Sequence, residues 1–145
     1  MQLQKILLPT DLSPEGDRAV AEVGEVALRN GARILLLHVV EDVGVRAGEP
    51  RPQGIPGTRE ELERARELLD ERRKAFPPGV EVLAEVIAAP SVSHAIIEYA
   101  KKNGCDAIAL STHGRGGFRR WIVGSVTEAV LRRSPVPVIV FPRES

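Results

Sequence analysis

Cysteine is nearly absent from this 145-residue chain. Cys105 stands alone, which excludes an internal disulfide and a cysteine-based zinc site. Its place just ahead of an apolar run suits a small core residue with no activating neighbour. Phe, Trp and Tyr together make up 3% of the residues. That leaves the Arg119-Arg120 and Arg132-Arg133 pairs without the stacking rings that single-stranded nucleic acid needs. Neither sign of charge is in excess, with 20 Lys and Arg against 20 Asp and Glu. No global field therefore draws the chain to nucleic acid or to an acidic membrane. The first apolar run, Ile6-Leu7-Leu8, is too short for a signal peptide or a membrane span, so a cytoplasmic protein is expected. The three histidines, His38, His94 and His113, are too scattered for a metal cluster.

What is there is an alternation of short apolar runs and amphipathic stretches. Ile6–Leu8 reads as a central strand, and Ser13-Pro14-Glu15 as the start of a helix with Val20, Val23, Gly24 and Ala27 on its inner face. Asn30-Gly31 stops that helix. Ile34–Val40 is apolar except for His38, as expected of a strand covered on both faces. Thr58-x-x-Glu61 is a capping box for a helix with Leu62, Ala65 and Leu69 inside and Glu60–Arg64 and Asp70–Lys74 pairs outside. Val80–Ile87 alternates as a half-exposed edge strand does. Ser91 or Ser93 opens a helix that Asn103-Gly104 closes, and Ala107–Leu110, Ser125–Arg133 and Val136–Phe141 complete the series. Alternation of this kind predicts a parallel sheet with helices on both faces and a ligand crevice at the carboxyl ends of its strands. The segment Glu41–Gly57, with four glycines and three prolines in seventeen residues, breaks the pattern. It is expected to be a flexible loop, either a functional lid or an insertion without a role.

The richest stretch runs from Ser111 to Val126. Gly114, Gly116, Gly117 and Gly124 lie between a strand end and a helix start. Glycines let backbone N–H groups approach an anion, and a helix N-terminus adds unpaired donors, so this loop is expected to hold phosphate. Ser125-x-x-Glu128 reads as a capping box whose hydroxyl could also meet the anion. The loop has no lysine and does not fit G-x-x-x-x-G-K-[ST], nor does G-x-G-x-x-G follow the first strand. Arg115, Arg119 and Arg120 could neutralise phosphate or form a solvated rim. Asp11, at a central strand end, could take a ribose hydroxyl or Mg²⁺, or simply cap the turn at Ser13. His113 reads more readily as a structural hydrogen-bonding residue than as a base.

These residues resemble the universal stress proteins along nearly the whole chain. The likeness rests on Ile6-Leu7-Leu8-Pro9-Thr10-Asp11-Leu12-Ser13, Leu37-His38-Val39, Thr112-His113-Gly114 through Gly124-Ser125-Val126, and Pro135-Val136-Pro137-Val138. The ATP-binding branch carries Gly, two residues, Gly, nine residues, then Gly-Ser or Gly-Thr. Gly114, Arg115–Val123 and Gly124-Ser125 match, whereas Ser111 stands at the first glycine position. Serine resists backbone conformations that glycine allows, which bears on nucleotide contact there. The resemblance implies a single-domain, open, doubly wound α/β fold of five parallel strands in the order 3-2-1-4-5, with helices on both faces. It implies an ATP-binding regulatory module, with ADP or AMP as related ligands and Mg²⁺ at Asp11. Pro9, Thr10 and Asp11 would flank the nucleoside, the Val39 backbone would read the adenine edge, and Gly114, Gly124, Ser125 and Val126 would hold phosphate. Ser111, His113, Arg115 and Gly117 complete the expected site. The family implies a homodimer through Val136–Phe141, whose apolar edge would otherwise be a liability. No residue is given a catalytic role. Two other readings remain: a slow ATP hydrolase using Asp11 and His113, and an interaction module that has lost its nucleotide and offers Glu41–Gly57 to a partner.

Overall fold

In a computed structural model, residues 2–13, 17–42, 59–111 and 124–141 are described. The elements are β1 (Lys5–Pro9), α1 (Asp17–Asn30), β2 (Arg33–Glu41), α2 (Arg59–Arg73), β3 (Val82–Ala89), α3 (Val92–Lys102), β4 (Ala107–Ser111), α4 (Ser125–Arg133) and β5 (Val138–Phe141). The strands form one sheet in the order β3-β2-β1-β4-β5, and all four pairings are parallel. This is the doubly wound α/β fold expected. The register sets Lys5 to Pro9 of β1 against Arg33 to Leu37 of β2, and Ile6 and Leu7 against Ala107 and Ile108 of β4.

Side-chain alternation along the strands divides the core into two layers. Ile6, Leu8, Ile34 and Leu36 pack beneath Val20, Val23 and Ala27 of α1 and Ala65 and Leu69 of α2. Leu7, Leu35, Leu37 and Ile108 pack on the opposite face beneath Ala95, Ile96 and Ala100 of α3 and Val130 of α4. Burying one such side chain contributes about 1.5–3 kcal/mol. Because β1 and β4 are covered on both sides, they carry continuous apolar runs.

Most local signals act as expected. Gly31 and Gly104 take the left-handed conformation at φ +64° and +62° after α1 and α3. Ser91 is the N-cap of α3, and its hydroxyl accepts from the His94 N–H at 3.3 Å. Gly24 lets α1 lie against the turn after α2: a Cβ there would fall 2.6 Å from Pro77 Cδ. Asp70–Lys74 pairs at 3.5 Å, while the outer face near the start of α2 uses Arg59–Glu63 at 3.3 Å rather than the expected Glu60–Arg64. Such exposed pairs contribute little.

Three expectations need correction. β3 runs two residues later than Val80–Ile87, because Pro77–Gly79 takes up the turn and Val82 is the first residue in register with β2. β5 begins at Val138 rather than Val136, as Pro137 offers only its carbonyl, which accepts from Ile108 N–H at 3.0 Å. Glu41 belongs to β2, Asp42 follows it with its N–H donating to the Ala89 carbonyl at 2.8 Å, and the rest of the expected loop, 43–57, lies outside the described residues along with Thr58.

At the amino ends of the strands, one carboxylate ties β1 to β4. Asp106 Oδ2 accepts from the Gln4 and Lys5 N–H groups at 2.8 and 2.9 Å, and the Asp106 N–H donates to the Lys5 carbonyl at 2.9 Å. Asp106→Ala leaves two strand donors unpaired and should lower stability by about 1–3 kcal/mol, seen as a lower urea midpoint with an unchanged slope. An unchanged midpoint would show that water replaces the carboxylate at no cost. Beside it, Cys105 is 5% exposed, and burial foremost pushes its thiol from 9.0 up to about 11. In the native protein its thiolate fraction near neutral pH should be depressed roughly 100-fold, so alkylation should be slow until the chain is unfolded. Because the folded pKa is the higher one, stability should fall as pH rises from about 9 to 11. Rapid native alkylation would contradict the buried placement.

Candidate functional site

β1 sits at the switch point of the sheet: α1, which follows it, packs on one face, and α4, which follows β4, packs on the other. The chain leaves β1 for β2 on one side, while β4 pairs on the other. A switch of this kind places a crevice at the carboxyl ends of the strands. A cavity of about 350 Å³ lies there, within the range of small-molecule sites. Leu8, Val20, Leu37, Ile96 and Leu110 supply apolar wall. Pro9, Thr10, Asp11, Val39, Ser111, Gly124, Ser125 and Val126, all expected at the site, line this same cavity. The other four expected residues, His113, Gly114, Arg115 and Gly117, lie outside the described residues.

The segment after β1 is held by a dense set of hydrogen bonds. The Thr10 N–H donates to the Leu37 carbonyl at 2.8 Å, extending the ladder one step beyond the strand. The Thr10 carbonyl accepts from His38 Nδ1 at 2.8 Å, which places that ring proton on Nδ1. Thr10 Oγ1 accepts from the Leu12 N–H at 3.1 Å, and Asp11 Oδ1 from the Ser13 N–H at 2.9 Å. Leu12, between these two local turns, has φ +64°. An L-residue pays roughly 1–2 kcal/mol for that conformation, so the surrounding bonds must hold it. Asp11 thus caps the turn, one of the roles open to it in the sequence. Ser13 was expected to cap α1, but among the described residues its buried hydroxyl has no hydrogen-bond partner.

Val39 presents its backbone rather than its side chain. Arg33 and Leu37 direct their main-chain groups to β1, as the Arg33 N–H to Gln4 carbonyl bond and the Thr10 to Leu37 bond establish. Val39 has the same parity, so its N–H and C=O point to the same side. By that level β1 has ended at Pro9, and they face the crevice.

On the other wall stands the start of α4. Gly124, not Ser125, is the N-cap, in extended conformation and without a side-chain cap bond. This corrects the expected capping box. Glu128 does not reach back; its carboxylate pairs with Arg132 at 2.8 Å, and its N–H makes the first intrahelical bond, to the Gly124 carbonyl at 2.9 Å. The N–H groups of Ser125, Val126 and Thr127 precede that bond, so the helix end directs donors and a positive dipole at the cavity. Ser111 closes β4 half-buried, in register with Phe141.

Two contributors were not assigned to the site from the sequence. His38 stands in the sequence only as the one polar residue of an apolar strand, yet it fixes the Thr10 carbonyl. Arg72 belongs to α2, where the local pattern reads only as a charged outer face. Its Nη1 donates to Thr10 Oγ1 at 2.9 Å and its Nη2 to the Ser13 carbonyl at 2.6 Å, across 62 and 59 positions of sequence. No local periodicity signals a contact at that separation.

Among the described residues no three His, Cys, Asp or Glu side chains converge as a metal site. No described helix is long and apolar enough to cross a membrane.

Comparison with known proteins gives a consistent answer. The family model of the universal stress protein family matches residues 2–142. Universal stress protein A homolog 1 of Coxiella burnetii is 31% identical over 148 residues, covering 96% of this chain and 96% of that protein. Among solved structures, universal stress protein UspA from Lactobacillus plantarum superposes with a TM-score of 0.75 at 25% identity, covering 97% of this chain and 99% of that one. The universal stress protein from Archaeoglobus fulgidus, solved in complex with dAMP, has a TM-score of 0.71 at 19% identity and covers 97% of this chain and 98% of its own. With a family model spanning nearly every residue and a fold shared end to end, this chain belongs to the universal stress protein family.

Proposed function

We propose that this protein binds an adenine nucleotide, ATP or its ADP and AMP relatives, in the crevice between β1 and α4, and serves as a regulatory module in the stress response. The observation that carries this reading is the side-chain-uncapped start of α4, at Gly124–Thr127, opening on the same cavity as Pro9–Asp11 and the Val39 backbone. One wall then offers anion donors, another offers edge-on backbone groups, and the space between is apolar enough for a flat base. A dAMP complex is known for an Archaeoglobus fulgidus protein of the same fold.

In this arrangement phosphates lie at the N–H groups of Ser125 and Val126, with His113, Gly114, Arg115 and Gly117 completing the cradle. The adenine edge meets Val39, and Asp11 faces the ribose. Mg²⁺, where it accompanies ATP, would be held by Asp11 together with phosphate oxygens rather than by a cage of side chains; its chemistry there is charge neutralisation. Ser111 brings a half-buried hydroxyl to the crevice where binding relatives carry glycine. The module holds its ligand and has no assigned catalytic group. It acts in the cytoplasm, and a second copy pairs at β5, all four of whose residues are half-buried at the sheet edge.

Gly124→Asp separates binding from folding. Gly124 has φ −61°, and among the described residues nothing lies within 4 Å of a Cβ built there, so its backbone suits aspartate, itself a good N-cap. The variant should keep or gain thermal stability yet lose roughly tenfold or more in ATP affinity by calorimetry, because a carboxylate now occupies the phosphate's position. Absence of binding by the unaltered protein at millimolar ATP would end the nucleotide reading. For the dimer, Ile139→Lys should convert the species seen by light scattering to monomer; a monomeric parent protein would end that part.

A further inference from the structure

Arg72 leaves the outer-face pairs of its neighbours Asp70 and Arg73 and enters the crevice half-buried. Its two terminal nitrogens take two acceptors at opposite ends of one tight turn, Thr10 Oγ1 and the Ser13 carbonyl. Between those acceptors lies Leu12, in the left-handed conformation. A hydroxyl has two acceptor lone pairs and one proton. Thr10 Oγ1 accepts from both the Leu12 N–H and Arg72 Nη1, so both lone pairs are taken. Its proton is the function that remains.

We propose that Arg72 is the positioning residue of the ligand-binding turn: it holds Thr10–Ser13 in its left-handed form and makes the Thr10 side chain a hydrogen-bond donor only. The bound nucleoside must then present an acceptor at that point, a ring nitrogen or a sugar oxygen. A ligand that offers an N–H or O–H donor there is rejected, because the hydroxyl has no lone pair left to receive it. This rests on the nucleotide reading above and extends it to selectivity. Lysine cannot replace arginine in this role, since a compact ammonium on a single stem lacks the planar fork that spans both acceptors. The effect passes through the turn, so it falls on the nucleoside half of the ligand and not on phosphate.

The test uses the full chain and its Arg72→Met, Arg72→Lys, Thr10→Val and Arg72→Met/Thr10→Val forms. ATP and adenosine are titrated by calorimetry well below each melting temperature, and the Leu12 amide resonance is followed by NMR. Arg72→Met should weaken ATP and adenosine in parallel, by roughly tenfold or more, and shift the Leu12 amide. Arg72→Lys should recover only part of the loss. The double form should lose less than the two single losses combined, because both act on one hydroxyl. Unchanged affinity in Arg72→Met, a loss confined to ATP, full recovery by lysine, or additive losses would each overturn the inference. If the unaltered chain binds neither ligand, the nucleotide reading itself falls and this inference with it. That outcome is distinct from a variant that binds as well as its parent.

Discussion

Everything else in this molecule depends on the pairing of β1 on both its edges. β2 adds to one side of it and β4 to the other, and the helices that follow β1 and β4 cover opposite faces of the sheet. That divergence creates the crevice, and the same pairing decides what points into it. Because Pro9 is level with Leu37, Val39 lies beyond the end of β1, and its main-chain groups are directed into the gap. A register shift would turn them elsewhere and exchange the two apolar faces. The site is thus a by-product of sheet geometry, to which a few side chains have been fitted.

Those side chains work mostly by fixing backbone. His38 engages the Thr10 carbonyl, Asp11 the Ser13 N–H, and Arg72 the Ser13 carbonyl together with the Thr10 hydroxyl. The turn they hold contains a leucine in a conformation that leucine avoids. A turn restrained in this way would meet the proposed nucleotide already shaped, which would remove part of the ordering cost of binding. The opposite wall is prepared differently. There the N-cap is a glycine, which makes no side-chain cap bond to the helix start.

Much of this was legible in the sequence, and for definite reasons. A strand buried on both faces must be apolar throughout, so Ile6–Leu8 and Ala107–Leu110 identify themselves. Helix ends that need a left-handed residue name it, as Gly31 and Gly104 do. Eight of the expected site residues meet at one cavity because they stand at strand ends and a helix start, positions that topology alone brings together. What failed was of two kinds. Ser125 matches a capping box, but Gly124 before it can serve as cap, and a four-residue pattern does not say which takes the post. Arg72 looks like any other charge on the outer face of α2, and its partners are some sixty positions away. Contacts of that range depend on how helix and sheet are packed, which no local window contains.

The division of the core into two layers also sets an order of events during synthesis. β1, α1, β2, α2 and β3 emerge first, and they contain nearly all of the layer under α1 and α2. The other side of that nascent three-stranded sheet already displays Leu7, Leu35, Leu37 and Val39, yet its cover comes from α3 and α4, and the second edge of β1 waits for β4. Until residues 92–111 have left the ribosome, the growing chain carries a bare aliphatic face beside an open strand. Such a surface is what holdase chaperones bind and what drives nascent chains to aggregate. The layer that walls the crevice is therefore the one completed last, after β3 and its predecessors have emerged.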